Sequence, residues 1–97
     1  MDNIYIRLSN INTSEMVGRV NAAVVYLKDI ENGYDYESTR PMLNILEGAE
    51  RADVYGRVCA LIGCAIGEKY KSSSQKLVYE MVTGEKLEET LEETKKA

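Results

Sequence analysis

The segment GRVCALIGCAIGEKY, residues 56–70, decides the fold, because it holds both cysteines, three of the seven glycines and ten uncharged residues from Val58 to Gly67. A membrane-spanning helix needs about 20 predominantly apolar residues, so this run is too short to cross a bilayer. An apolar run of this length between charged residues instead indicates the buried part of a helix. We therefore expect no membrane span and an all-α fold built around this segment.

The two cysteines do not form a recognisable chemical site. Cys59 and Cys64 are five residues apart, which on a helix separates their directions by roughly 140°. The chain contains no histidine, so no further soft ligands are available for a tetrahedral metal site. The spacing also differs from the redox Cys-x-x-Cys motif. We expect two buried free thiols, no metal and no cofactor.

Length and charge limit the class of protein. The chain has 97 residues, which suits a single domain covering residues 1–97. Its 12 basic and 16 acidic residues give a net charge of -4, which argues against direct nucleic-acid binding through phosphate neutralisation. The same balance permits a protein partner with a basic cleft. The first ten residues lack a basic region followed by an apolar run, so we expect a cytoplasmic protein.

Local patterns predict a small helical bundle with one long central helix. Ile4, Ile6 and Leu8 alternate with polar residues, which predicts a short strand or an extended arm within residues 1–12. The next helix is expected from about 14 to 31. Residues 40–70 contain no strong stop signal and predict the long central helix, with a break at Gly48 as the alternative. The pair Ser72 and Gln75 predicts a capping box, and residues 84–97 predict an acidic C-terminal helix.

Small residues recur along the central helix at spacings of four, four, three and four residues. On a helical wheel they fill a wedge roughly 80° wide, which forms a groove that another helix can approach closely. The groove receives either the first long helix of the same chain or the same helix of a second subunit. Because the run 58–67 is apolar on every side, we favour a homo-oligomer, most simply a dimer. The groove residues are Ala52, Gly56, Ala60, Gly63 and Gly67.

Two further surfaces are candidates for binding another protein. All seven aromatic residues are tyrosines, which combine apolar area with a hydroxyl and suit interfaces. The predicted turn contains Tyr34, Asp35 and Tyr36. The C-terminal helix is acidic and forms either a solvated face or an imitation of the charge spacing of nucleic acid. Its candidate partner-binding residues are Glu88, Glu89, Glu92 and Glu93.

Two weaker patterns resemble known families. Glu47, Glu50 and Asp53 form an acidic series that resembles the Glu-x-x-Glu motifs of the all-α nucleotide pyrophosphatases. That resemblance implies a metal-dependent nucleotide hydrolase, but the second acidic pair of the family has only Glu80 as a counterpart. The pairs Glu47–Arg51 and Asp53–Arg57 are also typical of ion pairs on a solvated helix.

The second resemblance lies in the order of elements. A strand, a helix, a turn and a helix resemble the ribbon–helix–helix repressors, whose paired strands enter the major groove of DNA. The resemblance implies that Asn3, Tyr5 and Arg7 face the bases. Only one of these three residues is basic, and the chain as a whole is acidic.

The sequence as a whole favours a binding protein over an enzyme, because no pair of nucleophile and base is visible. We predict a small acidic regulator or inhibitor that binds another macromolecule stoichiometrically. Small size and the absence of a catalytic set are also typical of regulators encoded by phages and mobile elements. The alternatives are a ribbon–helix–helix-like DNA-binding regulator and a small all-α nucleotide-binding or nucleotide-hydrolysing protein.

Overall fold

The computed structural model describes residues 3–31, 36–68 and 70–96. These ranges contain helices and no strand, so the predicted all-α class is confirmed. The helices are α1 (Ile4–Ser9), α2 (Thr13–Glu31), α3 (Tyr36–Leu46), α4 (Val54–Glu68), α5 (Ser73–Thr83) and α6 (Leu87–Lys96).

The longest helix, α2, is the scaffold against which α3, α4 and α5 pack. Its buried face is an apolar stripe at spacings of four and three residues, in which Met16, Val20, Ala23 and Leu27 are fully buried. The side chain of Asn12 caps the helix, accepting a hydrogen bond from the Glu15 backbone amide at 2.8 Å. The cap and the stripe therefore fix both the beginning of α2 and the face that it buries.

The predicted long central helix is wrong, because the chain breaks between α3 and α4. Gly48 adopts a left-handed backbone conformation with φ at 81°, which ends a helix and which glycine tolerates without a steric penalty. The Asp53 carboxylate then accepts a hydrogen bond from the Glu50 amide at 2.8 Å just before α4 begins. The break lets α3 and α4 pack against each other instead of forming one rod.

The predicted N-terminal strand or extended arm is also wrong, since Ile4–Ser9 form the helix α1. Asn3 caps it by accepting a hydrogen bond from the Ile6 amide at 3.0 Å. Ile4 and Leu8, one helical turn apart, are both 3% exposed. The spacing of four between these two residues decided the local structure, and the alternation through Ile6 did not.

The capping box predicted for the beginning of α5 is confirmed, whereas the acidic C-terminal helix begins at Leu87, three residues after its predicted start at residue 84. Ser72 and Gln75 form a capping box at the beginning of α5. Gly84, with φ at 76°, ends α5 in the left-handed conformation. The acidic C-terminal helix is α6, and Leu87 at its first position is 2% exposed.

Candidate functional site

The side of α4 that points away from the core carries only small residues and a cysteine. The opposite side is buried and consists of Val54, Val58, Leu61, Ile62 and Ala65. We call the exposed set the outer face of α4. It comprises Gly56, Cys59, Ala60, Gly63 and Gly67 of the helix, together with Ala52 in the turn before it.

The glycines of the outer face have no close neighbour within the chain. A Cβ atom placed on Gly56, Gly63 or Gly67 meets no atom of the described residues within 4 Å. The helix α2 therefore does not pack into this groove, although the sequence left that arrangement open as one of two expectations. Each glycine still costs the helix roughly 1 kcal/mol relative to alanine. The open space around these positions gives no steric reason within the described residues for glycine there.

Beside the outer face, α3 and α4 enclose an open groove of about 530 Å³. Asn44 and Ile45 line it from α3. The other lining residues come from α4 and the preceding turn, and they are Ala52, Asp53, Gly56, Arg57 and Ala60. The small residues thus form one wall of a concave surface.

Arg57, the one cation of α4, is engaged by its own chain. It donates hydrogen bonds to the carbonyl oxygens of Ile45 at 3.3 Å and Glu47 at 2.7 Å, and to the Asp53 carboxylate at 3.0 Å. The pKa of Asp53 is lowered, first by the hydrogen bond from the Glu50 amide and then by Arg57. The predicted Asp53–Arg57 ion pair is therefore confirmed. Its charge serves the end of α3 and leaves the outer face neutral.

A second concave surface lies where α1 meets α4. The cavity measures about 270 Å³. It is lined by Tyr5, Leu8, Ser9, Tyr55, Val58 and Cys59. The hydroxyl of Tyr55 donates a hydrogen bond to the carbonyl oxygen of Ile11, and this bond holds the connection between α1 and α2 against α4. Because Cys59 belongs both to this cavity and to the outer face, the two surfaces are continuous.

The cysteines differ from the sequence prediction. Cys59 is exposed and Cys64 is partly buried, and both thiols are free. The expectation that both are buried is wrong for Cys59, because α4 turns that position toward solvent. No group of three histidine, cysteine or acidic residues within the described ranges is arranged to hold a metal ion.

The acidic series resembling a pyrophosphatase motif does not lie on one helix. Glu47, Glu50 and Asp53 all fall in the connection between α3 and α4. Glu47 pairs with Lys28 at 2.7 Å instead of with Arg51, and this ion pair lowers the pKa of Glu47. The helical spacing that suggested a shared cation site is therefore absent at the break.

The acidic residues of α6 that the sequence suggested as one surface differ in exposure and in their partners. Glu88, Glu89 and Glu92 are exposed, although Glu88 also approaches Lys76 at 3.5 Å. Glu93 is partly buried and binds Arg7 at 2.8 Å. The turn residues Tyr34 and Asp35 lie outside the described residues, and Tyr36 is the first residue of α3.

Sequence reasoning missed the ionic contacts that join the two ends of the chain. The guanidinium of Arg7 binds the Glu85 carboxylate through Nε at 2.7 Å and Nη2 at 2.8 Å. The second carboxylate oxygen of Glu93 accepts a hydrogen bond from the Ile4 amide at 3.2 Å. These partners are 78 to 89 residues apart, so no local spacing could reveal them. A single arginine in a short segment opposite an acidic helix is the only signal that the sequence offers.

Beneath these contacts, a buried polar pair fixes α5 against α6. The hydroxyls of Tyr79 and Thr90 share a hydrogen bond of 2.5 Å. Burial raises the pKa of Tyr79, because desolvation penalises the phenolate. We call the contacts among Arg7, Tyr79, Glu85, Thr90 and Glu93 the polar corner.

Comparison of the chain with protein-family models, with curated protein sequences and with solved structures finds no match. Among the described residues, no helix combines the length and the apolarity that a bilayer crossing requires.

Proposed function

We propose that the chain is a small acidic regulator or inhibitor that acts in the cytoplasm by stoichiometric binding and not by catalysis. The observation that supports this most directly is the outer face of α4. Its exposed helical residues carry no charge, and it is flanked by two concave surfaces, one of which is also lined by the ion pair of Asp53 and Arg57. Exposed apolar surfaces of this kind are typical of contact sites with other proteins.

The occupant that we propose for the outer face is the same face of a second copy. Two chains that each carry a net charge of -4 repel one another over most of their surface. A charge-free face is where two such copies can meet with the least electrostatic penalty. Glycine and alanine let two helices approach closely, and a twofold axis brings identical patches together.

A basic region of a different macromolecule is the proposed target of the assembled protein. Glu89 and Glu92 support this proposal, because both are exposed and neither makes an ion pair among the described residues. Glu93 is excluded from this surface by its contacts with Arg7 and the Ile4 amide. The acidic surface thus reduces to Glu88, Glu89 and Glu92. Imitation of nucleic acid is a special case of the same proposal.

The DNA-binding alternative loses the element that suggested it. Residues 4–9 are helical, and Arg7 is bound to two carboxylates of its own chain. We therefore do not propose a ribbon–helix–helix protein. Salt-dependent binding to duplex DNA would reverse this choice.

The self-association proposal is tested with two matched glycine substitutions. Gly63 and Gly18 are both exposed helical glycines with open space around them. Gly63→Leu and Gly18→Leu should therefore each leave the monomer folded and add helix propensity. We expect sedimentation equilibrium to give a dimer for the wild type and for Gly18→Leu, but a monomer for Gly63→Leu. Equal dimerisation of both variants would move the interface away from the outer face of α4.

The target proposal needs a separate measurement. We expect a native mass spectrum of the protein, isolated gently from its own host, to contain a second macromolecule at a fixed ratio. The double variant Glu89→Gln, Glu92→Gln should lose that macromolecule while remaining a dimer. Retention of the partner by the double variant would place the target surface elsewhere, and a bound nucleotide would favour the enzymatic alternative.

A further inference from the structure

The helix α1 depends on the rest of the chain for its structure. It has six residues, whereas isolated helices shorter than about 12 residues are marginal in water. Its caps are local: the Ile6 amide donates a hydrogen bond to the Asn3 side chain, and the Asn10 amide donates one to the Arg7 carbonyl oxygen. The helix α1 is therefore stabilised by its contacts with the other helices. We call the surface of those helices that α1 covers its seat.

The apolar part of that seat is provided by two side chains. Ile4 and Leu8 are each 3% exposed and belong to the core. On the other side of α1, Tyr5 and Ile6 are 41% and 46% exposed. Leu8 also lines the open depression of about 270 Å³, together with Tyr55 and Val58 of α4.

The polar part of the seat is provided by two carboxylates. Glu85 binds the guanidinium of Arg7 through both oxygens, and Glu93 bridges Arg7 and the Ile4 amide. The side chains of Arg7, Glu85 and Glu93 are 33%, 23% and 33% exposed, respectively. Ion pairs with this degree of solvent contact are weakened by salt. The seat is therefore part apolar and part sensitive to ionic strength.

The helix α2 does not need α1 in order to begin. Asn12 caps α2 with its own side chain, through the Glu15 amide at 2.8 Å. The Ile11 carbonyl oxygen is held by the Tyr55 hydroxyl. Both hydrogen bonds lie on the α2 side of the short connection between the helices. Opening of α1 about this connection thus leaves the caps of the remaining helices intact.

We propose that α1 is a detachable latch, and that its seat between α4 and the α5–α6 hairpin also accepts α1 from a second copy. Charge complementarity identifies this occupant: the seat presents Glu85 and Glu93, and α1 carries Arg7 as its only charged residue. The apolar residues Ile4 and Leu8 of a second copy match the same seat. Reciprocal exchange of an identical element costs little, because the interactions that α1 makes within one chain form again between the two chains.

Detachment is tested by amide hydrogen exchange on the full chain. Raising sodium chloride to about 1 M should accelerate exchange of the Arg7, Asn10 and Ile11 amides on the order of tenfold, while α2 and α4 stay protected. Arg7→Gln should cause the same acceleration at low salt. Lys28→Gln, which breaks the surface ion pair with Glu47, is the matched control and should leave α1 unaffected. Unchanged exchange in Arg7→Gln, or loss of protection in α2 and α4 together with α1, would overturn the latch.

Exchange between copies is tested by charge reversal. Two variants are prepared, Arg7→Glu and the double variant Glu85→Arg, Glu93→Arg, both in a Gly63→Leu background that removes pairing through the outer face of α4. Each variant alone places like charges between α1 and its seat, so each should be monomeric with an open latch. Mixed together, they should form a one-to-one heterodimer in native mass spectra and regain slow exchange in α1. Absence of the heterodimer would overturn the exchange of α1 without affecting the proposal for the outer face.

The two parts of the proposal remain testable if charge reversal prevents folding. Arg7→Gln and Glu93→Gln are milder changes that only remove the attraction. The Gly63→Leu chain is studied at low salt and at protein concentrations far above those at which it is monomeric, where exchange of α1 should form a weak dimer. Both variants should raise the dissociation constant of that dimer relative to the Gly63→Leu parent. A dimer that persists unchanged in both variants would contradict the role of this seat.

Discussion

The outer face of α4 and the polar corner represent opposite ways of completing a small helical fold. In the polar corner, the described groups meet within the chain: Arg7 binds two carboxylates and Tyr79 binds Thr90. On the outer face, Gly56, Gly63 and Gly67 have open space around them, and the exposed residues that make up this face are uncharged. The polar groups of the corner are therefore paired within the chain, whereas the outer face is suited to contact with another chain.

The two regions also differ in the size of their side chains. At the polar corner, long side chains reach across from one end of the sequence to the other. On the outer face, the absence of side chains makes a surface that a second helix can approach. In this chain of 97 residues, ion pairs thus connect the two ends of the sequence, and glycines leave the outer face of α4 accessible to a second helix.

The largest predicted effect contrasts the two sides of α4. Leu61 is fully buried, so Leu61→Ala should lower the free energy of unfolding by about 2–5 kcal/mol through reduced burial and a cavity. Gly63→Ala, two residues away on the outer face, should raise the free energy of unfolding of the monomer by roughly 1 kcal/mol. Urea unfolding at low protein concentration measures both changes. A loss of stability in Gly63→Ala under these conditions would mean that its surface is covered within the chain.

The next effect tests the buried part of the polar corner. Tyr79→Phe leaves the Thr90 hydroxyl without its partner and should lower the free energy of unfolding by about 1–3 kcal/mol. Because the folded state raises the pKa of Tyr79, its neutral form contributes stability that is fully present below pH of about 10. That stability should be lost as the pH rises through the raised value.

Chemical unfolding between neutral pH and pH of about 11 measures this alkaline loss. We expect the decline above pH of about 10 to be shallower in Tyr79→Phe than in the wild type, because the substituted side chain cannot ionise. Thr94→Val is the control, since its hydroxyl bonds only the Thr90 carbonyl oxygen and does not contact Tyr79. An equally steep decline in Tyr79→Phe would assign the alkaline transition to other groups.

The smaller effect concerns the exposed part of the same corner. Arg7→Gln should lower the free energy of unfolding of the whole chain by no more than about 1 kcal/mol, since the ion pairs are partly solvated. The difference from the wild type should shrink as salt approaches about 1 M. A loss that is large and independent of salt would show that Arg7 stabilises the fold through packing.

The smallest effect is predicted for the exposed acids of α6. Glu89→Gln and Glu92→Gln should each change the free energy of unfolding by less than about 0.5 kcal/mol, because both side chains are exposed. Thermal unfolding checks this directly. A larger change in either variant would mean that the acid supports the fold and is not free for a partner.

Local chemistry predicted the helices whose ends are fixed by neighbouring residues. Ser72 with Gln75 is a cap readable within four residues and forms as expected, and the cap of α2 by Asn12 at the Glu15 amide is equally local. The prediction failed where a local signal was ambiguous. Residues 4–8 fit alternation as well as helical spacing, and contacts with Glu85 and Glu93, far along the chain, accompany the helix.

Glycine was the other source of error. All three glycines Gly48, Gly56 and Gly63 lower helix stability, so the sequence left a break at Gly48 only as the alternative to one long helix, and of the three Gly48 alone adopts a positive φ. A glycine that ends a helix and a glycine that opens a helical surface are not distinguishable by residue type. The small-residue spacing correctly placed Gly56, Ala60, Gly63 and Gly67 on one side of a helix, whereas their exposure required the structure.

The central claim, that the outer face of α4 pairs with a second copy, is tested most directly by the reactivity of Cys59. This thiol is exposed on that face, and the partly buried Cys64 serves as an internal reference. Alkylation of each cysteine should be followed by mass spectrometry over a series of protein concentrations. We predict that the Cys59 rate constant falls as the protein dimerises, while Gly63→Leu abolishes the dependence. A Cys59 rate constant that stays the same at every concentration would contradict the account.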